Sequence, residues 1–366
     1  MQKLLAVRAG AGQNESGGHG TRLCPLYNLF NPFLGPSNQS SNSLSNCVKS
    51  HGMDITQERS AVAAALPDIQ KARTEASIET SLEWVGMSRI ETPIRFVTQG
   101  GELLTLAARA NAGVNLVDAK ARGIHMSRLY RAVVDEFSSK PLSFDLMESL
   151  VENFLQSHSG LSTEAELRVE FEALLSRQSL KSGLQGFRSY PVEMGVSKRS
   201  GLVRRFLEVQ VLYSSTCPQS AALARQLVAQ DFAQKFSSEI ASTGDVRTWL
   251  ESPAGMAATP HAQRSSARIR VELQSRSPYS LEKLLDLIEE VLATPVQTVV
   301  KREDEQEFAR RNGTHLMFCE DAARKIKKAL WNESAIVDFE GELRHVESLH
   351  PHDAVARIRG RGSLLP

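Results

Sequence analysis

Apolar positions along this chain change their spacing several times, and each change marks an expected element. Around Trp84-Val-Gly-Met and Ile94-Arg-Phe-Val, aromatic and β-branched residues mix as they do in strands. Residues 103–117 read as one long strand with an irregularity at Gly113. The period then lengthens. Leu129, Val133 and Phe137 form a helical stripe over 128–137, and Ser143 caps a second helix whose Leu146, Leu150, Phe154 and Leu155 are spaced to face a core. Two strands follow, near 167–175 and 203–213.

The second half repeats the plan. A helix over 220–236 leads into a loose linker, 237–259, containing Gly244, Pro253 and Gly255. Alternation returns in Ala267-Arg-Ile-Arg-Val-Glu-Leu. Ser280 caps a helix that buries Leu281, Leu284, Leu285, Ile288 and Leu292; a further helix spans 319–330, and strands follow at 335–343 and 354–358. Strands flanking a helix pair, twice over, predict an α+β fold with largely antiparallel sheet, without the βα alternation of a parallel one.

Length and composition narrow this further. At 366 residues the chain has room for two domains of ordinary size. Residues 1–60 are rich in Gly, Ser and Asn, most clearly at 38–46, and cannot bury enough apolar surface to offset ordering entropy. They are expected to be a disordered extension, with Met53 an alternative start and order beginning near Leu66-Pro-Asp-Ile-Gln70. The expected division is 66–216 for a first module and 217–366 for a second that carries most of the chemistry. Lys plus Arg (43) balances Asp plus Glu (42), so no global field draws the protein to nucleic acid or a membrane surface. No apolar run is long enough to span a bilayer, and the opening Met-Gln-Lys-Leu-Leu-Ala-Val-Arg is too short in its apolar part for a secretory signal. Cys24, Cys47, Cys217 and Cys319 show no paired spacing, which fits a reducing, cytoplasmic setting where a thiol can serve as a ligand.

The candidate chemistry lies in the last third. Cys217 follows an expected strand, precedes Pro218 and opens a helix, a place that favours thiolate. A lone cysteine is also commonly a small buried hydrophobe. His261 lies in polar company, Pro-His-Ala-Gln-Arg-Ser, and Arg264 nearby could grip a phosphate or be a solvated charge. Glu305 closes the run Lys301-Arg-Glu-Asp-Glu, which reads by default as a solvated turn. Glu320 opens a helix, where a carboxylate also complements the macrodipole. Glu347-Ser-Leu-His350 offers a ligand or acid–base pair between two strands. His125 and Arg128 stand at a glycine turn and helix start, where anions bind, though capping accounts for the same residues. No Walker or Rossmann glycine loop is present. A thiol, an imidazole and carboxylates make a donor set for a divalent metal with one open position.

Together, Leu66-Pro-Asp-Ile-Gln, Trp84-Val-Gly-Met, Gly123-Ile-His-Met-Ser-Arg, Ser215-Thr-Cys-Pro, Pro260-His-Ala-Gln-Arg-Ser, Glu320-Asp-Ala-Ala-Arg and Glu347-Ser-Leu-His resemble, in this order, the prokaryotic type IB GTP cyclohydrolase I family. The resemblance covers about residues 66–360. It implies tandem tunnelling-fold (T-fold) modules, antiparallel sheets packed with helix pairs, assembled as a homotetramer with active sites between subunits. The implied reaction is metal-dependent hydrolysis of GTP to formate and 7,8-dihydroneopterin triphosphate, begun by attack of activated water at C8 of guanine. By motif, Cys217, His261 and Glu305 are the implied ligands of one divalent metal, zinc, manganese or iron. Glu320 is the implied guanine anchor, and Glu347 and His350 border the metal as candidates for proton transfer. Arg264, His125 and Arg128 are assigned to the triphosphate from charge alone.

Departures from the family pattern leave other readings open. Gln219 stands where many members carry a second cysteine in Cys-Pro-Cys-Ser, the segment between Cys217 and His261 is longer than in compact members, and the N-terminal extension has no counterpart. A T-fold protein that binds a purine or pterin without turnover is the alternative that Gln219 sustains. A nitrile reductase of deazapurine metabolism is disfavoured by the His-Ala-Gln-Arg-Ser string.

Overall fold

The computed structural model describes residues 76–361 apart from Gln99. Cys24, Cys47, Met53, the stretch at 38–46 and the Leu66–Gln70 string lie outside the described residues. Eight antiparallel strands form one sheet in chain order. They are β1 (Leu82–Val97), β2 (Leu103–Leu116), β3 (Ala165–Gln178), β4 (Gln185–Arg199), β5 (Leu202–Thr216), β6 (Ala262–Leu273), β7 (Ile336–His345) and β8 (Ala354–Arg359). Helices α1 (Met126–Ser139) and α2 (Phe144–Ser157) join β2 to β3. Between β5 and β6 come α3 (Pro218–Lys235) and α4 (Thr243–Glu251); between β6 and β7 come α5 (Leu281–Leu292), α6 (Arg302–Thr314) and α7 (Cys319–Asn332). The α+β class and the antiparallel sheet expected from the sequence are those of the structure.

The helix stripes explain the layers. Leu129, Val133 and Phe137 of α1 are buried, as are Met147, Leu150, Val151 and Phe154 of α2. They join one core with alternate residues of β1–β4, among them Ile94 on β1, Leu167 and Val169 on β3 and Val192 and Val196 on β4. In the second half α5 does the same with Leu284, Leu285, Ile288 and Leu292. Ser143 and Ser280 cap α2 and α5 as their positions predict, accepting from Leu146 N and Lys283 N at 3.1 Å each. The intervening strand residues carry charge on the opposite face: Arg168, Glu193 and Arg270 cluster there, with guanidinium–carboxylate distances of 3.8–3.9 Å to Glu193. The Gly113 irregularity has a partner, since Gly86 faces it across β1 and β2. A Cβ at Gly113 would stand 2.4 Å from the Trp84 ring, and one at Gly86 would stand 2.2 Å from the Ala112 carbonyl oxygen.

Several sequence expectations need correcting. β1 is one strand where the sequence suggested two short strings, and β4 was not expected at all. Pro191 and Gly195 interrupt its β signature, yet β4 pairs with β3 from Ala165↔Lys198 to Gln178↔Gln185. The supposed linker at 237–259 contains α4, capped by Ser242. β6 begins at Ala262, ahead of the alternation noticed from Ala267.

The run at 301–305 is not a turn but the start of α6. Its buried Asp304 accepts from Lys181 N at 2.7 Å, Ser182 N at 2.9 Å, Ser182 Oγ at 2.5 Å and Lys301 N at 2.8 Å. It therefore ties the β3–β4 hairpin tip to the second half. Burial opposes ionisation of Asp304, but the Ser182 hydroxyl and the three backbone N–H groups outweigh it and hold the carboxyl well below its usual range. Hydrogen bonds from Arg310 and Arg311 likewise lower Glu307 to about 2. Both depressions stabilise the fold fully above the ordinary carboxylate range, and that contribution is lost as pH falls towards 2. The double variant Asp304→Asn, Glu307→Gln is therefore expected to unfold at lower urea at pH 7, and its midpoint to change less than the parent's between pH 4.5 and pH 2. An unaltered pH dependence would show that these carboxylates do not set acid stability.

Candidate functional site

Antiparallel register gathers residues distant in sequence at one end of the sheet. β5 ends at Thr216, opposite Ala262 at the start of β6, so Cys217 and His261 flank the same rung. Cys217 N donates to the His261 carbonyl oxygen at 3.3 Å. Pro218 then begins α3, and the Cys217 thiol is the N-cap, accepting from Ser220 N at 3.5 Å. Ser220 also fixes the other side, its hydroxyl accepting from His261 N at 3.1 Å. Ser265 of β6 pairs with His345, the last residue of β7, so the loop after β7 emerges at this same end. That loop brings Glu347 Oε2 within 3.7 Å of His261 Nδ1. α7 starts here as well, with Met317 N donating to Thr216 O at 3.2 Å.

Beneath these groups lies a buried polar layer. His261 Nδ1 is 3.0 Å from Gln263 Oε1, Gln263 Nε2 donates to Ser215 Oγ at 2.9 Å, and Ser215 Oγ is 2.8 Å from Ser265 Oγ. One rung further in, His345 Nε2 shares a 2.9 Å hydrogen bond with the Tyr213 hydroxyl. Burial lowers His345 to about 4 against the opposing charge of Glu320, so the ring is neutral at pH 7. Burial also pushes the Cys319 thiol up to about 11; its Sγ contacts the carbonyl oxygens of Leu343 and Ala354. Cys319 is thus a packed thiol, unlike the half-buried Cys217. Glu347 Oε2 is buried without a hydrogen-bond partner, as is Thr216 Oγ1 beside Cys217.

The structure therefore assembles Cys217, His261 and Glu347, with Glu320 exposed on the first turn of α7 where its charge acts on Cys319 and His345. The remaining candidates stand apart from that cluster. Glu305 is exposed on the first turn of α6. Arg264 is exposed, on the face of β6 opposite to Gln263 and Ser265. His350 is exposed and stacks on His352, ring centroids 5.0 Å apart. His125 and Arg128 open α1, held through His125 N to His158 Nε2 at 3.3 Å and Arg128 to Ser157 O. Among the described residues, no three His, Cys, Asp or Glu side chains group as a metal ion would require.

Gln263, Ser215, Tyr213 and His345 are not singled out by the sequence as site residues, although Ser215 and Gln263 lie inside two of the strings quoted above. The signal was there in part: Gln263 and Ser265 continue inward the alternation that Ala267, Ile269 and Val271 set.

A family model described as type I GTP cyclohydrolase FolE2 matches residues 66–356. GTP cyclohydrolase FolE2 of Bdellovibrio bacteriovorus is 47% identical over 295 residues, covering 80% of this chain and 96% of its own. The protein of the same name from Pseudoalteromonas translucida is 46% identical, covering 80% and 96%. Among solved structures, uricase from Arthrobacter globiformis aligns over 78% of this chain and 96% of its own, with a TM-score of 0.46 and 7% identity, a likeness too slight to bear on the site.

The His345–Tyr213 pair yields a direct test. Tyr213→Phe leaves a buried ring nitrogen unpartnered and is expected to cost about 1–3 kcal/mol in urea unfolding. Because His345 is depressed, the parent's own stability should fall as pH drops from about 6.5 through about 4, where the unfolded chain takes up the proton first.

Proposed function

The chain belongs to the type I GTP cyclohydrolase FolE2 family, and we propose that it hydrolyses GTP to formate and 7,8-dihydroneopterin 3'-triphosphate, the first step of tetrahydrofolate biosynthesis. The observation that carries this reading is the convergence of Cys217, His261, Glu347 and the N-terminus of α7 at one end of the sheet. The strand–helix–strand order, run twice, supports tandem tunnelling-fold modules, proposed as 66–216 and 217–366.

The donor chemistry fits a divalent metal. A half-buried thiol at a helix N-terminus, an adjacent imidazole and a buried carboxylate oxygen with no partner suit zinc, manganese or iron. Cys217 and His261 would hold the ion and Glu347 would border it, with Glu305, exposed on α6 of the single chain, as the proposed carboxylate ligand. When bound, such an ion supplies Lewis-acid activation of water. Because no three ligating side chains group within the described residues of one chain, we read the site as completed by self-association, proposed as a homotetramer.

The chain's own groups then divide the work. Glu320, exposed at the helix start, accepts hydrogen bonds from two N–H groups of guanine and so fixes the ring. Glu347 and His350 hold and pass the protons that imidazole-ring opening and formate loss demand. Arg264, with His125 and Arg128, meets the triphosphate. Gln219, exposed one residue after Pro218, keeps a second reading in view: a protein that binds GTP or a pterin without turning it over.

The test is turnover of GTP by protein loaded separately with zinc, manganese or iron, following formate and the oxidised, fluorescent pterin. Formate from the parent and none from Cys217→Ala supports the cyclohydrolase. GTP binding without formate under every metal favours the binder. Glu320→Ala should raise the KM for GTP roughly 10–100-fold with metal content unchanged, and an equal loss of metal would remove the anchor assignment.

A further inference from the structure

We propose that Gln263 is a positioning residue that holds the His261 ring, its amide bridging Nδ1 to the buried Ser215–Ser265 pair. The inference rests on the metal site proposed above. Two oxygens face His261 Nδ1: Gln263 Oε1 at 3.0 Å and Glu347 Oε2 at 3.7 Å. An ionised carboxylate only accepts, so the Glu347 oxygen favours a proton on Nδ1. Gln263 can satisfy that proton only by presenting its carbonyl oxygen.

A flipped amide would offer N–H to Nδ1 and drive the ring proton to Nε2, away from the Glu347 oxygen that favours it on Nδ1. With the oxygen turned to His261, the amide N–H is left to be satisfied on the other side. Its Nε2 donates to Ser215 Oγ at 2.9 Å, and Ser215 Oγ is 2.8 Å from Ser265 Oγ. Gln263, Ser215 and Ser265 are 9%, 0% and 1% exposed, so water does not compete for these bonds. The register is what permits the arrangement, since Ser215 and Gln263 are direct cross-strand partners. His261 thus carries its proton on Nδ1 and presents Nε2 as the ligating nitrogen. A metal-bound histidine whose second nitrogen donates to a fixed oxygen is both oriented and made more basic.

The test measures cobalt(II) binding by visible absorption with chelator competition, on the full chain, independently of turnover. Gln263→Met keeps the length of the side chain but lacks a strong acceptor, and is expected to weaken cobalt binding about 10–100-fold. Gln263→Glu restores an acceptor, with the Ser215 hydroxyl free to turn and donate, and is expected to stay within a few-fold of the parent. Ser215→Ala removes the partner of the amide N–H, loosens the side chain and should weaken binding by a smaller factor, which also serves if Gln263→Met does not fold. Parent-like affinity in Gln263→Met or in Ser215→Ala overturns the proposal, as does a loss in Gln263→Glu equal to that in Gln263→Met, which would mark a packing role. His261→Ala separates the two levels of argument. If that variant retains cobalt, the metal-site reading fails with the inference; if it loses cobalt while Gln263→Met does not, the inference alone fails.

Discussion

The ladder between β5 and β6, from Arg205↔Leu273 to Thr216↔Ala262, is the constraint on which the site depends. Antiparallel pairing allows no half-measures, because a one-residue slip would turn every inward side chain outward. Val209, Val211, Ile269 and Val271 bury one face of this ladder completely or nearly so, and their burial therefore holds the register. The same register sets Cys217 beside His261 and Ser215 opposite Gln263. Apolar packing several rungs away thus governs where the thiol and the imidazole stand.

A second tie connects the two halves of the chain. The β3–β4 hairpin reaches over the second half, where Arg188 Nη1 and Tyr190 OH converge on Glu289 of α5 at 2.5 Å each. Arg177 Nη1 meets Asp286 at 2.8 Å on the same helix. Together with Asp304 on α6, these bonds make the helices that cover the second half part of the first half's support. Burial of Tyr190 beside Glu289 pushes its phenol up to about 12, so it acts as a donor to that carboxylate throughout the neutral range.

Local signals in the sequence carried the regular elements well. Helices with a full apolar stripe and a serine cap, α2 and α5, are found where spacing placed them. Elements stabilised by distant polar partners were not legible. α6 has few apolar residues, and its place is fixed by Asp304 reaching Lys181 and Ser182, groups far away in the chain. β4 hides behind Pro191 and Gly195, which lower strand propensity although cross-strand pairing overrides it. At the site, sequence named the side chains with obvious chemistry. It did not reveal Gln263 or Ser215, since a glutamine and a serine become informative only when buried opposite each other. Nor could sequence show that Glu347 approaches His261 while Glu305 stands exposed on a different element.

The α3–α4 excursion leaves the sheet at Cys217 and returns at His261, and its two ends are held together by the ladder and by Ser220. For a segment pinned in this way, changing its length alters closure entropy only logarithmically, about 0.6 kcal/mol for each doubling. The gap in sequence between the thiol and the imidazole is therefore free to drift by insertion or deletion while their separation in space stays the same. A search for related sites that demanded a fixed spacing between these two residues would miss proteins that share the chemistry, whereas one that matched the paired strand ends would find them.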